Sequence, residues 1–296
     1  MPDPLVSVLI ITYNHEKYIR DAIEGCLKQK TNFPIEIIIH DDASTDKTTE
    51  IVKEYAEKYP ELIFPILQTE NQYSKGVKIT SSLIPKARGK YIAICEGDDY
   101  WCDPHKLQKQ VLFLEKNQKY SGSAHQTIVV EGKNERMFKI NVKSDIVLSD
   151  LLNQRLFHTA SILFRKELLL KYPTPPSFIV SFDRILFILI GSNGPIKYFN
   201  EPMCIYRKHS DGISASVSYD KLKMDFLAVD YLQQNIKNFP KYRFLSFLHY
   251  TCMVYPKEKI PYVVIWKHFF FFALFSFTYF PKNLRKIAST IYRLII

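Results

Sequence analysis

Apolar residues in the first hundred positions fall into short continuous runs, separated by segments with helical spacing. Ser7–Thr12 is a β-branched run of the kind a strand buried on both faces of a parallel sheet requires. Ile19, Ala22, Ile23, Cys26 and Leu27 then repeat at helical intervals. Ile35–Ile39 predicts a second strand, and Ile51, Val52, Tyr55 and Ala56 predict the inner face of a second helix. Ile63–Leu67 and Tyr91–Cys95 predict the third and fourth strands. Between them Lys75–Arg88 reads as an interrupted helix, because Pro85 forbids a clean run.

Asp103-Pro104 reads as an N-cap followed by the first residue of a helix that carries Leu107, Val111 and Leu114 inward. Strand patterns recur at Ser123–Val130, Arg136–Ile140, Ala160–Phe164, Ile196–Phe199 and Met203–Arg207, and Phe182–Ile190 reads as a short apolar helix. From Tyr219 onward the pattern is helical. The simplest architecture is an open α/β sheet followed by a helical tail.

Nearly half of the 296 residues are hydrophobic (47%), so a full core is within reach. The five cysteines (Cys26, Cys95, Cys102, Cys204, Cys252) are scattered, with no C-x-x-C pair, which argues against a disulfide framework or a structural zinc site. Val6–Ile11 is too short for a signal peptide and follows Asp3, so a cytosolic setting is expected. The net charge of +10 is unevenly placed, since ten Lys/Arg and one acid follow Asp230, giving +9 in the final 66 residues.

Ligands of open α/β sheets sit beyond the carboxyl ends of the strands. Three polar clusters fall there: Thr12-Tyr13-Asn14, Asp41-Asp42 and Glu96-Gly97-Asp98-Asp99. Neither G-x-G-x-x-G nor G-x-x-x-x-G-K-[ST] is present, so a glycine cradle for phosphate is excluded. A diphosphate is otherwise held through a divalent cation, which takes hard oxygen ligands such as those of Glu96–Asp99.

The blocks SVLIITYNHEKYI, IEIIIHDDASTDKT and GKYIAICEGDDYW, in this order and spacing, resemble the family 2 glycosyltransferases of the GT-A fold. The resemblance is strong over about residues 5–115 and continues weakly to about 212 through HTASILFRK and FNEPMCIYRKHSDG. It implies a Rossmann-like open mixed sheet flanked by helices. Residues 1–212 would form the catalytic domain, with a nucleotide-sugar half (about 1–115) and an acceptor half (about 116–212).

By the same resemblance, Thr12 and Asp42 or Asp41 face the nucleoside base, with Tyr13 and Asn14 beside them and Lys75 as a helper at the phosphates. Glu96-Gly97-Asp98 stands where the family has Asp-x-Asp. Asp98 would be the principal ligand of Mn²⁺ or Mg²⁺, with His209 as a further contact. Asp183 stands at the place of the general base. Asp99, Trp101 and His158 fall on the acceptor side, Trp101 as a surface for a sugar face. The implied reaction is inverting transfer of a sugar, UDP-linked by preference, to a hydroxyl.

Residues 213–296 form a basic, aromatic tail. The apolar run Phe269–Phe280 falls short of the roughly 20 residues of a spanning helix, and its basic flanks suit an anionic membrane surface. The expected setting is therefore the cytoplasmic face of the cell membrane, with a glycan or lipid-linked saccharide as acceptor. Nucleic acid is a poor partner for this charge, because long Phe runs interrupt it. Two other readings stay open here: transfer to a polyprenyl phosphate, which needs no acceptor base, and a catalytically inactive binding protein.

Overall fold

The computed structural model describes residues 3–177, 179–210, 212, 217–256 and 260–277. Its strands are β1 (Val6–Thr12), β2 (Ile35–Asp41), β3 (Ile63–Leu67), β4 (Tyr91–Glu96) and β5 (Tyr100–Trp101). They continue with β6 (Gly122–Glu131), β7 (Asn134–Met137), β8 (Asp145–Ile146), β9 (Leu163–Arg165) and β10 (Ile196–Arg207). All belong to one mixed sheet with the order β3-β2-β1-β4-β9-β6-β10-β5, to which β7 and β8 add at β6 and β10. β3, β2, β1 and β4 are mutually parallel, and β9 runs antiparallel to both β4 and β6.

The period-2 alternation of β1 divides the core between the two faces of the sheet. Val6, Val8 and Ile10 join Ile23, Val52, Leu107 and Val111 from the helices Ile19–Leu27, Thr48–Lys58 and Lys106–Lys116. Leu9, on the other face, joins Ile92, Ile94, Phe157, Ile185 and Ile188. The expected α/β mixed sheet flanked by helices is therefore the fold observed.

Several boundaries differ from the expectation. The helix after Asp103-Pro104 begins only at Lys106, because Asp103 Oδ1 instead accepts from the amide of His105 (2.8 Å) in a preceding turn. Thr159–Ser161 is a 3₁₀ turn, and its strand is limited to β9. The two strands expected at 196–207 are one, β10, whose register shifts at Pro202, a residue with no amide hydrogen for a ladder.

Packing does not divide at residue 212. Helices Tyr219–Met224, Leu227–Asn235 and Lys241–Val254 follow, and Ala228, Leu232, Phe244 and Leu248 lie in the same core cluster as Ile185 and Phe157. Helix Tyr262–Phe277 docks on Lys241–Val254 through a His249–Phe271 ring stack (5.1 Å) and a Ser246–Ser276 hydroxyl pair (2.7 Å). Lys257, Lys259, Lys282, Arg285, Lys286 and Arg293 lie outside the described residues. No described helix is long and apolar enough to cross a membrane.

Candidate active site

Parallel register brings the first polar clusters to one rim. Thr12 pairs with Asp41 across β1 and β2, and Ile11 pairs with Glu96 across β1 and β4. Asn14 adopts a left-handed φ of 54°, accepts from the Thr45 amide (2.8 Å) and donates its own amide to Ser44 Oγ (2.9 Å). It thus ties the turns after β1 and β2 together, while Tyr13 points outward, 44% exposed. Asp41 is buried and accepts from the hydroxyls of Ser44 and Thr49.

Asp42, also buried, accepts the amides of Gln72 (2.8 Å) and Tyr73 (2.9 Å). Its carboxylate therefore shapes the loop 71–76 that covers it, instead of standing open to a base as the resemblance implied. Charge-assisted bonds to two amides make that loop a fixed wall of the cleft. Lys75, on the same loop, pairs with Glu70 at the surface. Thr12 is buried and its Oγ1 has no hydrogen-bond partner.

The turn after β4 passes directly over Thr12. A Cβ on Gly97 would lie 2.6 Å from Thr12 Oγ1 and 2.9 Å from His15 Nδ1, so only glycine fits. This places Asp98 Oδ2 3.1 Å from His209 Nε2 and 3.9 Å from His15 Nε2. A carboxylate and two imidazoles thus meet at a partly open rim. Beside them, Glu96, Asp99 and His158 bring ligand-capable atoms within 4.8 Å of one another.

Glu96 Oε2 and Asp99 Oδ2 are buried without hydrogen-bond partners. Burial, reinforced by Asp98, pushes the Glu96 carboxyl up to about 7. Burial, then Glu96 and Asp98, raises Asp99 well above the usual carboxylate range. Three acids crowd together with Arg155 and Arg207 only at their edges, and the donor set fits a divalent cation. Asp98 and His209 remain partly exposed at the rim.

Arg207, at the end of β10, donates its amide to Asp99 Oδ1 (2.9 Å) and its guanidinium to the Asp98 carbonyl (3.2 Å). It fixes the acidic turn from the far side of the sheet.

The acceptor half is assembled differently. Asp183 opens the helix Phe182–Gly191 and pairs with Arg155 (2.7 Å). Arg155 also donates to Thr159 Oγ1 (3.0 Å), and its charge favours the ionised form of Glu96 against burial. One arginine therefore links the acidic rim to Asp183. The segment preceding Asp183 is held twice: Asp225 accepts the amides of Val180 (2.8 Å) and Ser181 (3.0 Å), and buried Lys78 donates to the Ile179 carbonyl (2.6 Å).

Three expectations for the acceptor side are corrected. Trp101 is 3% exposed, its indole donates to the Ala160 carbonyl (2.8 Å), and Lys106 Nζ sits 4.0 Å from the ring centroid. It packs within the core and offers no face to a sugar. His158 is buried, stacks on Tyr206 (4.1 Å) and lies 3.4 Å from Asp99. Burial, then Arg155, drives its basicity far down, so it is a neutral partner of the acidic cluster and is set back from the surface. Asp99 is likewise fully buried beneath the acidic turn, and does not line an open acceptor face.

Sequence reasoning missed His15, Arg155, Arg207, Lys78 and Asp225. His15 had a signal, since it directly follows Asn14 on the rim. Arg207 also had one, since it lies two residues before His209 in FNEPMCIYRKHSDG, whereas Arg155, Lys78 and Asp225 lie on separate stretches of chain that carry no motif.

Comparison with known proteins gives the family and the fold. Residues 7–173 match the family described as Glycosyl transferase family 2. The chain belongs to that family. It is 37% identical over 222 residues to an uncharacterized protein of Mycobacterium tuberculosis, covering 74% of this chain and 63% of that one. The chain thus spans under two thirds of the length of that relative. It is 30% identical over 165 residues to TuaG of Bacillus subtilis, named as a candidate teichuronic acid biosynthesis glycosyltransferase (55% of this chain, 63% of TuaG).

Among solved structures, residues 1–349 of Staphylococcus aureus TarS in complex with UDP-GlcNAc superpose with a TM-score of 0.64 at 22% identity, covering 83% of this chain and 72% of that one. The mannosyltransferase PcManGT of Pyrobaculum calidifontis, bound to GDP-Man and Mn²⁺, gives 0.58 at 17% identity, covering 99% and 81%. At these identities the structures confirm the GT-A-like fold.

Proposed function

We propose that this glycosyltransferase moves a hexosyl group from a nucleoside-diphosphate sugar, UDP-linked by preference, to a hydroxyl of a glycan or lipid-linked saccharide, with inversion. The observation that carries the reading is the placement of Asp98, His209 and His15 on the rim that also holds Thr12 and the Asp42-braced loop, with Asp183 tied to that rim through Arg155. The base lies against Thr12 and loop 71–76, with Tyr13 and Asn14 at its edge and Lys75 free to exchange Glu70 for a phosphate.

Asp98 and His209 hold a divalent cation, Mn²⁺ or Mg²⁺, with Glu96 in support. When bound, such an ion offsets negative charge on a leaving diphosphate. Gly97 keeps the acidic turn close over Thr12. Asp183 accepts the proton of the acceptor hydroxyl on the face of the sugar opposite the diphosphate, which dictates inversion. Arg155 orients Asp183 before the acceptor arrives. TarS with UDP-GlcNAc and PcManGT with GDP-Man and Mn²⁺ support the donor and metal classes, and TuaG supports a role in polysaccharide assembly.

The basic, aromatic C-terminal region seats the enzyme on the inner face of the cell membrane, where a lipid-linked acceptor is presented.

The test is a thermal-shift screen of UDP, GDP, TDP and CDP with and without Mn²⁺, since a ligand selective for the native state raises its stability. A metal-dependent rise with one nucleotide, lost in Asp98→Ala, is expected. No rise with any nucleotide would move the chain to the inactive binding class.

A further inference from the structure

Helix Tyr262–Phe277 is apolar on every side, carries no acid and has Lys267 as its one formally charged side chain. Helices of that composition are normally enclosed by protein or lipid. Only one side of this one is enclosed: Phe272 is 1% exposed, His268 is buried, and Phe271 stacks on His249. Among the described residues nothing covers the other side. Tyr262 (75%), Trp266 (50%), Phe270 (61%) and Leu274 (48%) recur every fourth residue along one stripe, with Val263 (81%) beside it. Five large apolar side chains on a single stripe form a contiguous patch, the kind that marks an interaction surface.

We infer that this stripe is the surface by which the protein lies on an anionic bilayer, with the helix parallel to the membrane plane. Three observations select lipid as the occupant. The final 66 residues hold ten Lys/Arg and one acid, so the region carrying the stripe is complementary to anionic headgroups. Lys267 is exposed at the edge of the stripe, and Tyr262 and Trp266 supply the amphipathic rings that favour the headgroup level. The sixteen described residues of the helix rise only about 24 Å, less than a hydrocarbon core of about 30 Å. Because the opposite side docks on Lys241–Val254, whose Phe244 and Leu248 sit in the catalytic core, the helix carries that core with it to the surface. The inference specifies the membrane part of the proposed function and uses no step of the sugar transfer.

The full-length protein is tested against vesicles of phosphatidylglycerol with phosphatidylcholine and of phosphatidylcholine alone. The chain has two tryptophans, and Trp101 is buried, so a change in emission reports Trp266. Expected are sedimentation with the anionic vesicles, a blue shift of Trp266, and quenching by lipids brominated near the glycerol end of the acyl chain. Phe270→Glu with Leu274→Glu should weaken binding about tenfold or more, because buried apolar area drives interfacial adsorption. Both sites are exposed, and an unchanged melting temperature and nucleotide shift would show the variant is folded. The inference is overturned if the full-length protein stays in the supernatant, or if the double variant binds as well as the parent. It also fails if Trp266 is shielded from acrylamide without lipid, which would mean residues 278–296 or a second copy cover the stripe. A protein that binds nucleotide yet ignores vesicles loses this inference alone, and one that binds vesicles but no nucleotide loses the transfer reading alone.

Discussion

The donor rim and the acceptor side solve the same problem, holding a charged group still, by different means. On the donor rim Asp41 and Asp42 are secured within about thirty residues, Asp41 by Ser44 and Thr49 and Asp42 by the amides of Gln72 and Tyr73, while Asp98 and Asp99 also meet His209 and Arg207 from the end of the sheet's last long strand. On the acceptor side Asp183 depends on Arg155 from one loop, and its approach segment depends on Lys78 and on Asp225 from a helix-to-helix turn near the C-terminus. The placement of the rim acids is thus set by parallel strands and finished by β10, whereas the approach to Asp183 exists only once Lys78 and Asp225 have packed against it. Damage to the first should abolish nucleotide binding. Damage to the second should spare it and slow transfer.

The largest test of that division is Asp183→Asn. Loss of a general base should lower kcat by about 10²–10⁴-fold, with the metal-dependent nucleotide shift intact. Full activity in this variant would point to polyprenyl-phosphate transfer, where no base is required. Asp98→Ala should cost about 10²–10³-fold in rate through lost electrostatic stabilisation, and here the nucleotide shift should vanish with it. If Asp98→Ala binds nucleotide normally, the donor rim is not where the comparison places it.

Asp225→Asn keeps the shape of the side chain while removing the charge that caps Val180 and Ser181. A fall in kcat of about tenfold with unchanged donor affinity is expected, the cost of a modest misplacement of a reacting group. Equal losses in nucleotide binding and kcat would instead mean that Asp225 supports the fold as a whole.

The smallest effect concerns pH and the last helix. His249 and His268 meet at 2.8 Å between Nδ1 atoms, with Tyr219 on the far nitrogen of His268. Burial, then His268 and Lys267, lowers His249 to about 4, and burial, Lys267 and Lys223 lower His268. In this window the unfolded chain binds more protons than the folded one, so the stability of the neutral pair is full above about 6.5 and is lost as pH falls toward about 4. Limited proteolysis of helix Tyr262–Phe277 should therefore accelerate between pH 7 and pH 5, and His249→Phe should flatten that dependence.

The donor half was legible because its signals are local. A β-branched run ending in Thr12, another ending in Asp41-Asp42 and a third ending in Glu96 must be neighbours in a parallel sheet, and their polar ends must share an edge. Trp101 and Asp42 show the limit. A Trp beside an acidic turn and an Asp at a strand end look available in sequence, but exposure is set by what folds over them. Here that is Lys106 and the Ala160 carbonyl over Trp101, and loop 71–76 over Asp42.

The sequence by itself determined the open α/β sheet, the converging acidic rim and the basic, aromatic character of the C-terminal region, since all three follow from periodicity, strand ends and composition. Only the tertiary structure decided that residues 228–248 join the core of the sheet, that Arg155 pairs with Asp183 while its charge reaches Glu96, and which side of the last helix is left uncovered by the described residues. Those outcomes depend on contacts between segments about twenty to well over a hundred residues apart, and side-chain spacing along one segment carries no information about which other segment will cover it.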